Sequence, residues 1–338
     1  MRRGLVIIYS LLFIFLLGSC EKGEMNRTPR ENFESLWRII DENYCYFDYK
    51  DVDWNEVYDR YSRQVSDTLD QYELFDLLGK MLAELKDGHT NLISSFNISR
   101  YWKWYEDYPA NFSSDIKKKY LGENYRIAGG MEYTKLKEDQ IGYMYYGSFS
   151  SGIGDTNLDH ILYFFKDCKG LIIDIRDNGG GSLAYSDRIA ARFLNEKILT
   201  GYIQHKTGKG HNDFSDPYPV YLEPSSRLKW LRPVVILTNR HCYSAANDFV
   251  QKMKLLPQVV IIGDQTGGGS GFPFNSELPN GWGIRFSSSP MLDVDKQHTE
   301  FGIEPDIYVS MTAEDMQKDE DTIIEAAIAN LISRSEQK

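Results

Sequence analysis

Two stretches of this chain carry residue types suited to acyl-transfer chemistry. In the first, RPVVILTNRHCYSAANDFV (Arg232–Val250), an apolar β-like run stops at a short polar turn and Ser244 opens an amphipathic pattern. A serine at such a junction sits on the positive end of a helix dipole. The unpaired backbone N–H groups beside it can stabilise the oxyanion formed by its attack. Serine is equally a favoured helix cap, so the position alone leaves capping and catalysis both open. The second stretch, Asp174–Ser182, is an apolar strand that runs into Gly179, Gly180 and Gly181 ahead of a helical pattern. Consecutive glycines allow close backbone approach and present N–H groups to an anion, or simply make a tight turn. No Gly-Lys-Ser/Thr follows, which disfavours a nucleotide loop. Cys242 reads as a buried small hydrophobe and His241 as a turn residue.

These segments need a scaffold, and the hydrophobic pattern supplies one. Residues 31–90 read as a small helical domain. Phe33, Leu36, Trp37, Ile40 and Tyr44 share one helical face, Trp54, Val57, Tyr58, Tyr61 and Val65 a second, and Phe75, Leu78, Met81, Leu82 and Leu85 a third. Residues 91–140 have no clean period and read as a loop-rich connector. From 141 onward, strand-like runs (141–146, 171–176, 233–238, 259–263) alternate with helical ones near 155–167, 182–195 and 244–255. That alternation predicts an α/β catalytic domain, 141–338, on a mostly parallel sheet. A hairpin turning at Pro279-Asn280-Gly281 and a last helix over 313–334, with Ile323, Ile324, Ala327, Ile328 and Leu331 on one face, complete the pattern.

Four segments then fit one site: Asp87-Gly88-His89-Thr90, the glycine loop, Cys242-Tyr243-Ser244-Ala245-Ala246-Asn247, and Glu300-Phe301-Gly302-Ile303-Glu304-Pro305-Asp306. In this order, over about residues 31–310, they resemble the C-terminal-processing (tail-specific) serine peptidases, and more closely their tricorn-like branch. The resemblance implies a crotonase-like ββα core and a serine endopeptidase or oligopeptidase. It implies Ser244 as nucleophile, His89 as general base and Glu300 as the residue that orients the histidine. The oxyanion hole would pair the N–H of Ala245 with that of Gly180 or Gly179. The better-known branch uses a Ser/Lys dyad with its lysine in a T-F-G-K-G run. Here the matching run is Thr266-Gly267-Gly268-Gly269-Ser270, and Gly269 holds the lysine position. Imidazole, with a pKa near neutrality, is suited to take the serine proton instead. Residue by residue, His89 could also be a structural histidine and Glu300 a surface carboxylate. Non-enzymatic relatives that bind a hydrophobic ligand or peptide share the fold, so a binding lipoprotein is the alternative function.

The first nineteen residues have a positive start (Arg2, Arg3) and an apolar run over residues 5–17, too short for a comfortable membrane span. Leu17-Gly18-Ser19-Cys20 resembles a bacterial lipoprotein box, which implies cleavage before Cys20 and lipid attachment to it. Residues 20–30 would be a flexible tether. The expected location is the bacterial cell envelope, lipid-anchored in the outer membrane, periplasm-facing or surface-exposed. The processed chain would carry 36 basic and 49 acidic residues, net −13, which argues against nucleic acid as a partner and leaves a peptide or protein substrate. Cys45, Cys168 and Cys242 imply no disulfide framework, and no Cys/His spacing suggests a metal site. No cofactor is expected. Processing proteases often carry a PDZ domain after D-G-H-T. The connector here holds about half the residues such a domain needs, so none is expected.

Overall fold

The computed structural model describes residues 28–336; the signal segment, Cys20 and most of the tether lie outside them. The helical domain opens with α1 (Pro29–Asn43). Thr28 is its N-cap in a capping box with Glu31, so residues 28–30, expected to belong to the tether, begin the helix. Asp53 caps α2 (Trp54–Ser62) and Asp70 caps α3 (Gln71–Ala83). Their apolar faces bury Phe33, Leu36, Trp54, Phe75 and Leu78. Leu278, Ile284 and Phe286 from the distant hairpin complete that core, so the helices pack against the rest of the chain through shared apolar surface.

The stretch expected to be a loop-rich connector is more structured than its pattern suggests. It forms β1 (Asn91–Ile93), α4 (Lys103–Glu106), α5 (Ser114–Leu121), β2 (Arg126–Ala128) and β3 (Met131–Leu136). β2 and β3 join the main sheet antiparallel, followed by β4 (Ile141–Tyr146). Next come α6 (Asp155–Phe164), β5 (Gly170–Asp174), α7 (Leu183–Ala190), β6 (Ile198–Ile203), β7 (Tyr218–Leu222), β8 (Val234–Thr238), α8 (Ala245–Lys254) and β9 (Val259–Gly263). β10 (Gly271–Glu277), β11 (Gly283–Leu292), β12 (Ile307–Tyr308), α9 (Ala313–Gln317) and α10 (Thr322–Glu336) close the chain.

The main sheet has the order β12-β9-β8-β5-β4-β3-β2 and is parallel from β12 to β4. Buried on both faces, β5 and β8 are apolar up to their last residues, Asp174 and Thr238, as such strands tend to be. A second sheet, β1-β11-β6-β7 with β10 also on β11, connects the helical domain to the core. The β10–β11 hairpin turns where expected, with Gly281 at φ +85°. The last helix is two helices, not one. Asp321 accepts the N–H groups of Ile323 and Ile324 and pairs with buried Arg176, so a fresh N-cap starts α10 at that point. Among the described residues no helix is long and apolar enough to cross a membrane.

Candidate active site

Ser244 lies between β8 and α8 with φ +57° and ψ −119°, a region that side chains rarely enter. Holding a non-glycine residue there costs about 1–3 kcal/mol, so the surroundings must impose it. Three backbone bonds do so. Cys242 N–H donates to Asn239 O, Tyr243 N–H to Asn178 O in the glycine loop, and Ser244 N–H to Gly268 O at 2.8 Å. The Ser244 side chain makes no capping hydrogen bond, which removes the capping account of this residue. It faces two cavities, of about 400 and 560 Å³, that meet at the Ser244 turn.

The glycine loop packs directly on this turn. Gly180 has φ +94°, and a Cβ there would lie 2.5 Å from Tyr243 O and 2.9 Å from Ala245 N. Asn178 shapes the loop, accepting from Gly180 N–H at 2.9 Å and donating to Tyr146 O at 2.7 Å. The Gly180 amide is therefore committed to Asn178, which leaves Gly179 as the remaining expected partner for Ala245. Gly181 borders both cavities as well.

The T-G-G-G run lies against the opposite side of the turn. A Cβ at Gly269 would fall 2.4 Å from the Tyr243 ring, and Gly269 has φ +77°. The space a dyad lysine would need at this position is filled by tyrosine.

His89 reaches the same two cavities as Ser244, from the end of the helical domain. Asp87 shapes its turn by accepting the His89 backbone N–H at 2.8 Å. Burial depresses the imidazole pKa and Asp87 opposes this. Arg285 and Lys50 depress it further, leaving it at about 4. The ring is thus neutral at pH 7, as a proton acceptor must be. Nδ1 is buried with no hydrogen-bond partner among the described residues, and no hydrogen bond joins the ring to Ser244 Oγ. Bonds of this kind are often open in an unliganded enzyme.

Glu300 is buried, which removes its reading as a surface carboxylate, but it does not meet His89 as expected. One oxygen accepts Lys50 Nζ at 2.8 Å and the other the Ser270 N–H at 2.8 Å. Lys50, from the turn after α1, also donates to Lys86 O and stands 3.7 Å from Asp87. Asp87 in turn accepts from Tyr44. Two buried carboxylates thus share one ammonium. Burial raises the Glu300 pKa more than Lys50 lowers it, whereas for Asp87 the pull of Lys50 and the His89 N–H outweighs burial. No sequence signal marked Lys50. Nor did any mark Trp104, which stacks on Tyr243 at 4.1 Å, or Arg285, which borders both cavities.

Cys242 is buried, its thiol donating to Ile175 O at 3.0 Å and its pKa raised by burial, as expected of an inert position. His241 packs against the Tyr105 ring at a 35° tilt and stands 3.6 Å from Asp177. Among the described residues, no group of three or more His, Cys, Asp or Glu side chains is placed to hold a metal ion.

A parallel sheet that presents a strained serine, a glycine loop against it and a neutral buried histidine define a hydrolase of the serine-peptidase class. The profile of peptidase family S41 matches residues 140–309, half of the chain, and that of the tricorn protease C1 domain matches residues 25–83. The chain belongs to peptidase family S41. It is similar to a solved structure of a candidate peptidase from Parabacteroides merdae, 68% identical, covering 92% of this chain and 99% of that one at a TM-score of 0.89. Mature CPAF shares the fold at 12% identity, with a TM-score of 0.74 over 91% of this chain and 98% of its own. The carboxy-terminal processing protease CtpA of Bacillus subtilis is 24% identical over 178 residues, 52% of this chain and 36% of that protein. The chain spans between 24% and 36% of the length of the curated relatives it matches.

Proposed function

We propose that this protein is a serine endopeptidase or oligopeptidase that cleaves peptide bonds through an acyl-enzyme on Ser244. His89 takes the serine proton and returns it to the leaving amine. The oxyanion is held by the N–H of Ala245 and one from the glycine loop, with Gly179 the expected donor. The observation that carries this reading is the forced conformation of Ser244, which spends backbone strain to aim a hydroxyl that caps nothing. Glu300 acts on the histidine through the packed Lys50–Asp87 cluster, not by direct contact. Steady-state hydrolysis of a peptide library tests the reading. Ser244→Ala and His89→Ala should each lower kcat by roughly 10⁴- to 10⁶-fold; turnover within tenfold of wild type in either variant would contradict it.

The second reading, a ligand-binding protein without chemistry, draws on the absence of a direct Glu300–His89 bond. Retention of a co-purified apolar ligand with no hydrolysis would favour it. We also propose a lipid anchor at Cys20 that places the enzyme in the bacterial envelope. Incorporation of an alkyne fatty acid, lost in Cys20→Ser, tests this, and equal incorporation in both proteins would refute it.

A further inference from the structure

The chain from Trp102 to Asn111, which includes α4, lies along the Ser244 turn as a strap, and its contacts run in order. Trp104 stacks on Tyr243 with ring centroids 4.1 Å apart, and Tyr105 packs on His241 at the same separation. The Arg240 guanidinium lies 3.9 Å from the centre of the Tyr108 ring, and Asn239 donates to Ala110 O at 2.8 Å. Strap residues 104 to 110 thus meet turn residues 243 to 239 in antiparallel order, with only Cys242 directed inward, to Ile175 O. The far end of the strap is tied to the catalytic domain. Arg176 donates to Asn111 O, and the Asn111 side chain joins Asp264 and the Met311 N–H.

Trp104 fills a slot that the neighbouring loops leave open. A Cβ at Gly88 would lie 2.7 Å from Trp104 Nε1. One at Gly267 would lie 2.4 Å from the indole ring and 2.3 Å from Arg240 O. Neither glycine has a positive φ, so space and not backbone conformation calls for glycine at both positions. Gly88 precedes His89, and Gly267 begins the glycine run beside the Ser244 turn. Tyr243 forms another wall of the slot. Its ring centre stands 4.9 Å from that of His89, and its backbone leads directly into Ser244. One aromatic residue therefore packs on the base and is joined through the chain to the nucleophile. Burial raises the Tyr243 pKa and the Gly88 and His89 amides oppose this, yet its hydroxyl makes no hydrogen bond among the described residues. Packing holds the ring, with Gly269 against it and Trp104 stacked on it.

We propose that Trp104 is a positioning residue, which through Tyr243 sets the placement of Ser244 Oγ relative to His89. A misplacement of about 1 Å in a reacting group costs about 10²-fold in rate, so the residue that touches both partners needs firm support. The strap supplies that support, and Tyr108 and Ala110 extend it by gripping Arg240 and Asn239 at the start of the turn. The proposal rests on the peptidase reading for its chemistry, but the grip on the turn is tested without it.

Two measurements on the whole protein test the strap, with active enzyme counted by fluorophosphonate titration. In peptide hydrolysis, Trp104→Ala should lower kcat by about 10- to 100-fold with KM within a few-fold, and Trp104→Phe should recover most of the loss. Trp104 borders the larger cavity, whereas Tyr108 borders neither cavity at Ser244. Tyr108→Ala should therefore lower kcat by about 3- to 10-fold with KM unchanged. In hydrogen exchange read by mass spectrometry, the amides of 239–248 should exchange about tenfold faster or more in Trp104→Ala, and those of β5 at the wild-type rate. A kcat within about twofold of wild type in Trp104→Ala, a loss that Trp104→Phe does not recover, a loss carried by KM alone, or unchanged exchange at the turn overturns the proposal. Faster exchange at the turn in Trp104→Ala, with no hydrolysis by the wild type, keeps the strap and removes the peptidase reading. Hydrolysis that depends on Ser244 but not on Trp104 does the reverse.

Discussion

Ser244 and Glu300 lie on opposite sides of the T-G-G-G run and are held in different ways. Around Ser244 the restraint is backbone. Ser244, Gly180, Gly268 and Gly269 all have positive φ, and a Cβ added at any of these three glycines would clash with the nucleophile-side turn or the Glu300 backbone. Around Glu300 the restraint is charge, with the side chains of Lys50, Asp87 and Glu300 gathered and buried together. The backbone half suits a part that must present a hydroxyl and N–H groups at fixed positions. The charged half ties the helical domain to the catalytic one, since Lys50 and Glu300 stand 250 residues apart in the chain. It also sets the field around His89.

The backbone half should break most sharply. In Gly180→Ala the new methyl meets Tyr243 O and Ser244 Cβ, at a φ of +94°. The expected loss is about 10²- to 10³-fold in kcat, the scale of a lost oxyanion donor, read by steady-state kinetics. An unchanged kcat would take the loop out of the reacting geometry. In the charged half, Lys50→Met leaves two buried carboxylates without their cation. Denaturant unfolding should show a loss of about 3–5 kcal/mol, with partial recovery in Lys50→Arg. Little change would mean that the cluster is not what joins the domains.

The two halves should also separate by pH. A general base works unprotonated, so kcat/KM should fall as the pH drops through the His89 pKa, about 4. Lys50 is one of the charges that lower that pKa, so Lys50→Met should move the acid limb to higher pH. An unshifted limb in a folded variant would show that the cluster does not act on the base. The smallest effect is expected at Cys242→Ala, with hydrolysis within a few-fold of wild type and about 1 kcal/mol of stability lost. Abolished hydrolysis in a folded Cys242→Ala protein would contradict the inert role given to this thiol.

The same contrast explains what could be read from the sequence. Conformational demands leave local marks. The glycine loop, the run of glycines at 267–269 and the Pro279-Asn280-Gly281 turn were all visible, as were the strands at 141–146 and 259–263. Buried charge leaves none, because Lys50 sits in an ordinary Asp-Tyr-Lys-Asp turn and gains its environment only when Asp87 and Glu300 arrive. The β6–β7 hairpin went unread for a related reason. β7 exposes Tyr218 and Tyr221 and starts beside a proline, so it shows no strong burial pattern. Likewise β2 and β3 are short and polar and acquire strand character by pairing with β4. The break at Asp321 depends on Arg176, 145 residues away.

The most direct test of the central claim is to treat the whole protein with a fluorophosphonate and map the adduct by peptide mass spectrometry. The account predicts a single phosphonylated residue, Ser244, with labelling lost in Ser244→Ala and greatly slowed in His89→Ala. An adduct on another residue, or equal labelling of wild type and Ser244→Ala, would contradict it.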